Sequence, residues 1–233
     1  MRYSQWKYTV LLASMILLTV VRFTVGQTEL GHLATNGCVV LLIGTCVAAA
    51  CSRPRSRLLA LLLGLPILVV TGWSLFEWPH PSHATFVLQR SAMTLFLAFT
   101  TTSILLDLID RREITRDTFV GAFCGYLLLG VIWTELYCWI DLTSPNSFNE
   151  MTPSDTGTLI EPRWGQLQYF SFMTLSTLGY GDILPITPLT RLLACMEAIC
   201  GQFYLAILVA GLVSVRVGQL TTPSTATEVE RSP

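Results

Sequence analysis

Apolar residues run along this chain in long blocks separated by short polar ones. Stretches almost free of charge cover Tyr8–Gly26, Leu33–Cys51, Leu58–Phe76, Thr85–Leu106, Thr118–Ile140 and Leu192–Val215. Each approaches the roughly 20 residues that carry a helix across a bilayer. Lipid offers no partner to backbone N–H and C=O groups, so each block is expected to close its hydrogen bonds within itself as a helix. The pattern predicts six spanning helices, with a kink in the third at Pro66. The first block follows Arg2 and Lys7 as an export signal would, but no small-x-small cleavage site follows and Arg22 interrupts its end. It reads as an uncleaved first span.

The segment between the fifth and sixth blocks changes character twice. Residues 141–163 are rich in Ser, Thr, Pro, Asn and acids, the composition of an exposed irregular turret. Trp164–Ser176, W-G-Q-L-Q-Y-F-S-F-M-T-L-S, is apolar and aromatic but long enough for only about half a bilayer. A short helix that enters the membrane and returns fits that length. Beyond Asp182, I-L-P-I-T-P-L-T carries two prolines and predicts an extended exit before the last helix.

Composition supports this picture. Of the 233 residues, 52% are hydrophobic and 12% charged, with a mean hydropathy of +0.58, whereas soluble domains carry about 25% charged residues. Soluble enzymes and disordered chains are excluded. The net charge of −1 gives no basic surface for nucleic acid. Seven cysteines, at 38, 46, 51, 124, 138, 195 and 200, form no C-x-x-C pair and read as small buried hydrophobes, not as zinc ligands or a disulfide framework. With the N-terminus inside, Arg2, Lys7, Arg53, Arg55, Arg57, Arg111, Arg112, Arg116, Arg216 and Arg231 all fall on the cytoplasmic side, ten of the fourteen basic residues. Basic loops face the cytoplasm, so both termini are expected there, in a multi-pass protein of the cell membrane.

The short helix runs straight into Thr174-Leu175-Ser176-Thr177-Leu178-Gly179-Tyr180-Gly181-Asp182. Glycines at 179 and 181 accept positive φ at little steric cost, which a loop with successive carbonyls aimed at one axis requires. The run T-L-S-T-L-G-Y-G-D resembles the selectivity filter of the potassium channel family, in which carbonyl oxygens replace the water of a potassium ion. It departs from that pattern in having Leu178 for the usual Val and Ser176 for the common Thr; neither change removes a main-chain oxygen. The resemblance extends over about Thr118–Val217, a two-helix pore module. It implies ion sites at the carbonyls of Thr177, Leu178, Gly179 and Tyr180 with the Thr177 hydroxyl, a filter closed by Gly181, and side chains of Leu178 and Tyr180 that brace the loop against the pore helix. It also implies a homotetramer, since one chain supplies one filter strand. Potassium is then the permeant ion and no cofactor is needed.

The resulting division is an all-α membrane protein with a four-helix domain over 1–110 and a pore domain over 111–217. Within the pore domain lie an outer helix (118–140), the turret (141–163), a re-entrant pore helix (164–176), the filter (177–181) and an inner helix (192–215). A short polar tail covers 218–233. Thr174, Ser176, Asp182, Glu135 and Glu197 are candidate supports of the filter, and Gly201, in the middle of the inner helix, is a candidate gating hinge or a close helix contact. Charged residues inside spans are costly. Glu197 is therefore expected to hydrogen-bond the pore helix or an external group such as Arg191, Glu135 to brace the filter from behind, and Arg90 to reach headgroups or another span's polar group. Asp182 is expected to concentrate cations or to lock the loop.

In the fourth helix only Arg90 appears before Arg111. Moving one charge through the field contributes roughly 2.3 kcal/mol per 100 mV, so strong voltage gating is not expected. The charged connection Leu105–Asp117 instead offers Arg111, Arg112 and Arg116 to anionic lipid. Membrane lipid and further copies of the chain are the expected partners, with no nucleic acid and no soluble partner evident. His32, His80 and His83 fall at external loop positions and are not spaced as a metal pair. The rival functions are a weakly selective cation channel, which the presence of Tyr180 argues against, a non-conducting subunit or membrane sensor, and a transporter, for which internal repeats are missing.

Overall fold

The computed structural model describes residues 7–24, 29–49, 54–76, 83–109, 116–149 and 164–221. Apart from 144–149 and 176–187 these residues are helical, with α1 (Lys7–Thr24), α2 (Glu29–Ala49), α3 (Pro54–Phe76), α4 (His83–Ile109), α5 (Arg116–Thr143), α6 (Trp164–Leu175) and α7 (Pro188–Thr221). One isolated antiparallel bridge joins Phe148 to Pro185.

All six apolar blocks are helices over their described residues. Among the described residues three are long and apolar enough to cross a membrane, Val87–Leu108 of α4, Thr118–Thr143 of α5 and Pro188–Leu208 of α7. The apolar parts of the others are shorter, Lys7–Val21, Ala34–Ala49 and Leu58–Trp73. Pro66 lies within α3, which continues on both sides of it.

Several boundaries differ from the hydropathy pattern because capping, not hydropathy, sets them. The inner helix begins at Pro188, ahead of residue 192, and continues past 215 to Thr221. Thr187 is its N-cap, with Oγ1 accepting the Thr190 N–H at 3.2 Å. Proline is suited to the first helical position, where its missing N–H has no intrahelical partner to lose. The outer helix likewise takes in 141–143, and α6 stops at Leu175. Of the expected turret, 150–163 lie outside the described residues; so do Arg111, Arg112, His80, Cys51 and the chain beyond Thr221. His32 and His83 are not in loops: the first lies within α2 and the second opens α4.

Helix α5 is the shared wall of the molecule, packed against α1, α4, α6 and α7. On one side, Cys124, Leu128 and Val131 join Tyr8, Leu11, Leu42, Phe96, Leu97 and Ile104 in the core of the N-terminal helices. On the other, Tyr137 and Cys138 pack with Phe148, Trp164, Leu167 and Phe170. Rings in this second cluster meet edge-on, with centroids 5.6 Å apart for Tyr137–Phe148, 5.2 Å for Tyr137–Phe170 and 5.3 Å for Phe148–Phe170. Such pairs contribute about 0.5–1.5 kcal/mol each beyond area burial. Between apolar helices polar contacts add specificity. Ser14 of α1 meets Thr45 of α2 at 2.9 Å, and Asp107 of α4 accepts the Tyr8 hydroxyl at 2.8 Å and the Lys7 ammonium at 3.3 Å.

Cys38, Cys46, Cys124 and Cys138 are buried, whereas Cys195 and Cys200 are exposed. The expectation of buried cysteines is thus corrected for these two, because the chain itself covers little more than one side of α7.

Thr187→Ala removes the N-cap acceptor of α7. It is expected to lower stability by about 1 kcal/mol in equilibrium unfolding in detergent, while Thr187→Asn retains most of it.

Candidate functional site

The site begins where α6 stops. The Thr177 N–H bonds the Thr174 carbonyl at 2.9 Å and the Leu178 N–H bonds the Met173 carbonyl at 2.9 Å. This is the paired closure of a Schellman cap, whose left-handed position is ordinarily filled by glycine. Here that position is Thr177, at φ 58°. A β-branched residue is held there only under constraint, at roughly 1–3 kcal/mol. Its hydroxyl donates to the Ser176 carbonyl at 2.7 Å and accepts Nε2 of Gln202, on α7, at 3.1 Å.

The left-handed conformation recurs at every second residue. Gly179 has φ 51° and Gly181 has φ 79°, as the glycine pattern predicts. A built Cβ at either meets nothing within 4 Å, so the requirement for glycine is conformational, not steric. Left-handed residues at 177, 179 and 181 break the side-to-side alternation that an extended strand imposes on its backbone groups. All of 176–182 is exposed. Leu178 and Tyr180 are 53% and 68% accessible in the single chain.

Contacts from three directions hold the segment. Ser176 caps the helix through its hydroxyl, 2.7 Å from the Phe172 carbonyl, and Thr174 contributes its carbonyl to the stop. Beyond Gly181, Asp182 lies beside the Tyr169 hydroxyl. The exit is strapped to the loop after α5. Asn149 N–H bonds the Leu184 carbonyl at 3.0 Å, its Oδ1 accepts the Leu184 N–H at 2.7 Å, and the Ile186 N–H bonds the Ser147 carbonyl at 2.9 Å.

Two buried carboxylates hold α6, Glu197 along its length through Ser171 and Glu135 at its first residue, Trp164. Glu197 of α7, fully buried, accepts the Tyr137 hydroxyl of α5 at 2.7 Å and the Ser171 hydroxyl of α6 at 2.5 Å, so one side chain joins α5, α6 and α7. Its expected partner in the pore helix is therefore Ser171; Arg191 instead donates Nε to the Pro185 carbonyl at 3.1 Å. Glu135 accepts Arg90 Nη1 at 2.8 and 3.1 Å and the indole N–H of Trp164 at 2.9 Å. Arg90 thus pairs with another span's polar group. Gly201 stands where α7 crosses the end of α6, and a Cβ built on it falls 2.2 Å from the Leu175 carbonyl oxygen. Its requirement is a close approach, and α7 passes through it unbroken.

Sequence reasoning missed four contributors: the strain at Thr177, and Gln202, Tyr137 and Ser171. Gln202, a polar residue in an apolar helix beside a singled-out glycine, carried a usable signal. The partners of Glu197 carried none, since they lie 60 and 26 residues away.

Glu197→Ala leaves the buried Tyr137 hydroxyl without its acceptor, at about 1–3 kcal/mol, while the Ser171 hydroxyl keeps the Gly130 carbonyl at 2.9 Å, and Glu197→Gln is expected to be milder. Gly201→Ala forces α6 and α7 apart and is expected to be destabilising by about 1–3 kcal/mol. Unfolding of the purified variants in detergent checks both.

Residues 121–217 match the family model described as "Ion channel". The inward rectifier potassium channel Kirbac3.1 of Paramagnetospirillum magnetotacticum is 44% identical over 48 residues, 21% of this chain and 16% of that protein. Two-pore potassium channel 5 of Arabidopsis thaliana is 44% identical over 46 residues, 20% of this chain and 11% of that protein. The chain therefore spans less than a fifth of the length of these curated relatives. No solved structure matches it. Together the matches point to a channel rather than an enzyme: residues 121–217 are similar to an ion channel family, and segments of 46 to 48 residues are similar to potassium channels.

Proposed function

We propose that the chain forms a potassium-selective channel that passes ions passively through a pore shared by four copies. The observation that carries this reading is the left-handed backbone at 177, 179 and 181, with a strained threonine at the first of these positions. In that geometry the carbonyls of Thr177, Leu178, Gly179 and Tyr180, with the Thr177 hydroxyl, replace the hydration shell of potassium, and Gly181 closes the outer end. Asp182, repeated around the axis, raises the local cation concentration.

The uncovered side of the module supports assembly. Leu189, Leu192, Met196, Ile199, Phe203 and Ile207 of α7 are 47–69% exposed beside the equally open Leu178 and Tyr180. In the tetramer, neighbouring copies and lipid cover these side chains. In this reading α1 to α5 and α7 each cross the membrane, and α6 enters from outside and returns through the filter. Non-helical backbone at that depth is tolerated because it lines a hydrated pore. The basic residues then place both ends in the cytoplasm. With Arg90 paired to Glu135 and no series of arginines along α4, the N-terminal helices do not form a strong voltage sensor.

The test is reconstitution of the purified chain in liposomes under opposed potassium and sodium gradients. The reversal potential is expected near the potassium equilibrium value, and Gly179→Ala, which adds a Cβ at φ 51°, is expected to abolish the current. Equal sodium permeation would overturn the selectivity, and silence of both proteins would overturn conduction by this chain alone.

A further inference from the structure

Arg90, Glu135 and Trp164 come from three helices and meet at one carboxylate. The side chains of Arg90 and Glu135 are 14% and 2% exposed. An ion pair so far from water persists only when each member is matched. This pair lies across the border of the pore module: Arg90 belongs to α4 and Glu135 to α5. Glu135 Oε2 takes Arg90 Nη1 at 2.8 Å, while Oε1 lies 3.1 Å from the same nitrogen and accepts the Trp164 indole N–H at 2.9 Å. Trp164 is the first residue of α6.

One turn along α6, on the same face, Gln168 is 1% exposed and donates Nε2 to the Thr19 hydroxyl of α1 at 3.2 Å. The entrance of the pore helix is therefore gripped twice by groups that lead back to the N-terminal helices. Its other end runs through the cap at Thr177 directly into the filter segment. A slide or rotation of α4 against α5 moves the guanidinium, reorients the carboxylate, and shifts the acceptor that anchors Trp164.

We propose that the N-terminal helices position the pore helix, and through it the filter segment, by way of the Arg90–Glu135–Trp164 relay, with these three as positioning residues. This deepens the channel reading above and rests on it for its consequence in ion flow. It assigns the single arginine of α4 a mechanical task in place of voltage sensing.

The test measures hydrogen exchange of backbone amides in the full chain, held in lipid nanodiscs, for wild type, Arg90→Gln, Trp164→Phe, the double variant and Arg90→Lys. Arg90→Gln and Trp164→Phe are each expected to speed exchange across 164–175 by about tenfold, since each removes a hydrogen bond to the same charged group. The double variant is expected to be no faster than the faster single one, and Arg90→Lys to recover most of the protection. Acceleration confined to α4 and α5 after Arg90→Gln, or effects that multiply in the double variant, would overturn the relay. If Arg90→Gln does not fold, Glu135→Gln is compared with Trp164→Phe by the same rule. In liposomes, Arg90→Gln is expected to lower the potassium-to-sodium permeability ratio about as much as Trp164→Phe. A wild type that conducts nothing overturns the channel reading, while the exchange pattern still decides the relay.

Discussion

The structure depends on keeping the last turn of α6 in place. That turn ends on a threonine in a backbone region where L-residues with a branched Cβ are disfavoured, and the next four residues lack helical or strand bonding of their own. A segment of this kind holds one conformation only if its surroundings over-determine it. They do so from both ends. The Schellman closure and Gln202 fix the start, while the strap of 184–186 onto 147–149 fixes the exit.

The packing behind α6 follows from that need. Inside lipid, apolar surface gives no preference of one helix for another, so position is set by close contact and by hydrogen bonds. Gly201 permits the close contact by omitting a Cβ that the Leu175 carbonyl would not admit. Glu197 and Glu135 supply the hydrogen bonds, one tying α6 to α5 and α7, the other tying its entrance to α5 and α4. Both are costly groups in an apolar bundle, and each is matched by donors on other helices. The same logic leaves α7 and residues 176–182 bare on their far side, where the proposed partner is another copy of the chain.

Much of this was legible beforehand. The six apolar blocks specified six helices because lipid-compatible backbone has few alternatives, and the half-length run Trp164–Ser176 marked a helix of a different kind. The glycines at 179 and 181 announced a backbone with positive φ. Even the rank of suspicion was sound at Glu135, Glu197 and Arg90, since charge within an apolar stretch demands a partner. The inner helix, however, began earlier than hydropathy allowed, because a cap of Thr187 and Pro188 starts a helix whatever the polarity of its first turn.

Sequence by itself thus determined the helices, the membrane character and the positive φ of Gly179 and Gly181, all of which are local: they depend on residues a few positions apart. Which group meets each buried charge was decided by tertiary structure, since Arg90 and Glu135 are 45 residues apart and Tyr137 and Glu197 are 60 apart. The same holds for Gly201, whose close contact with the carbonyl of Leu175 could not be read from a glycine in a helix. Thr177 is the sharpest case. Nothing about a threonine in sequence signals a left-handed residue, and only the end of a packed helix, pinned on three sides, forces it there.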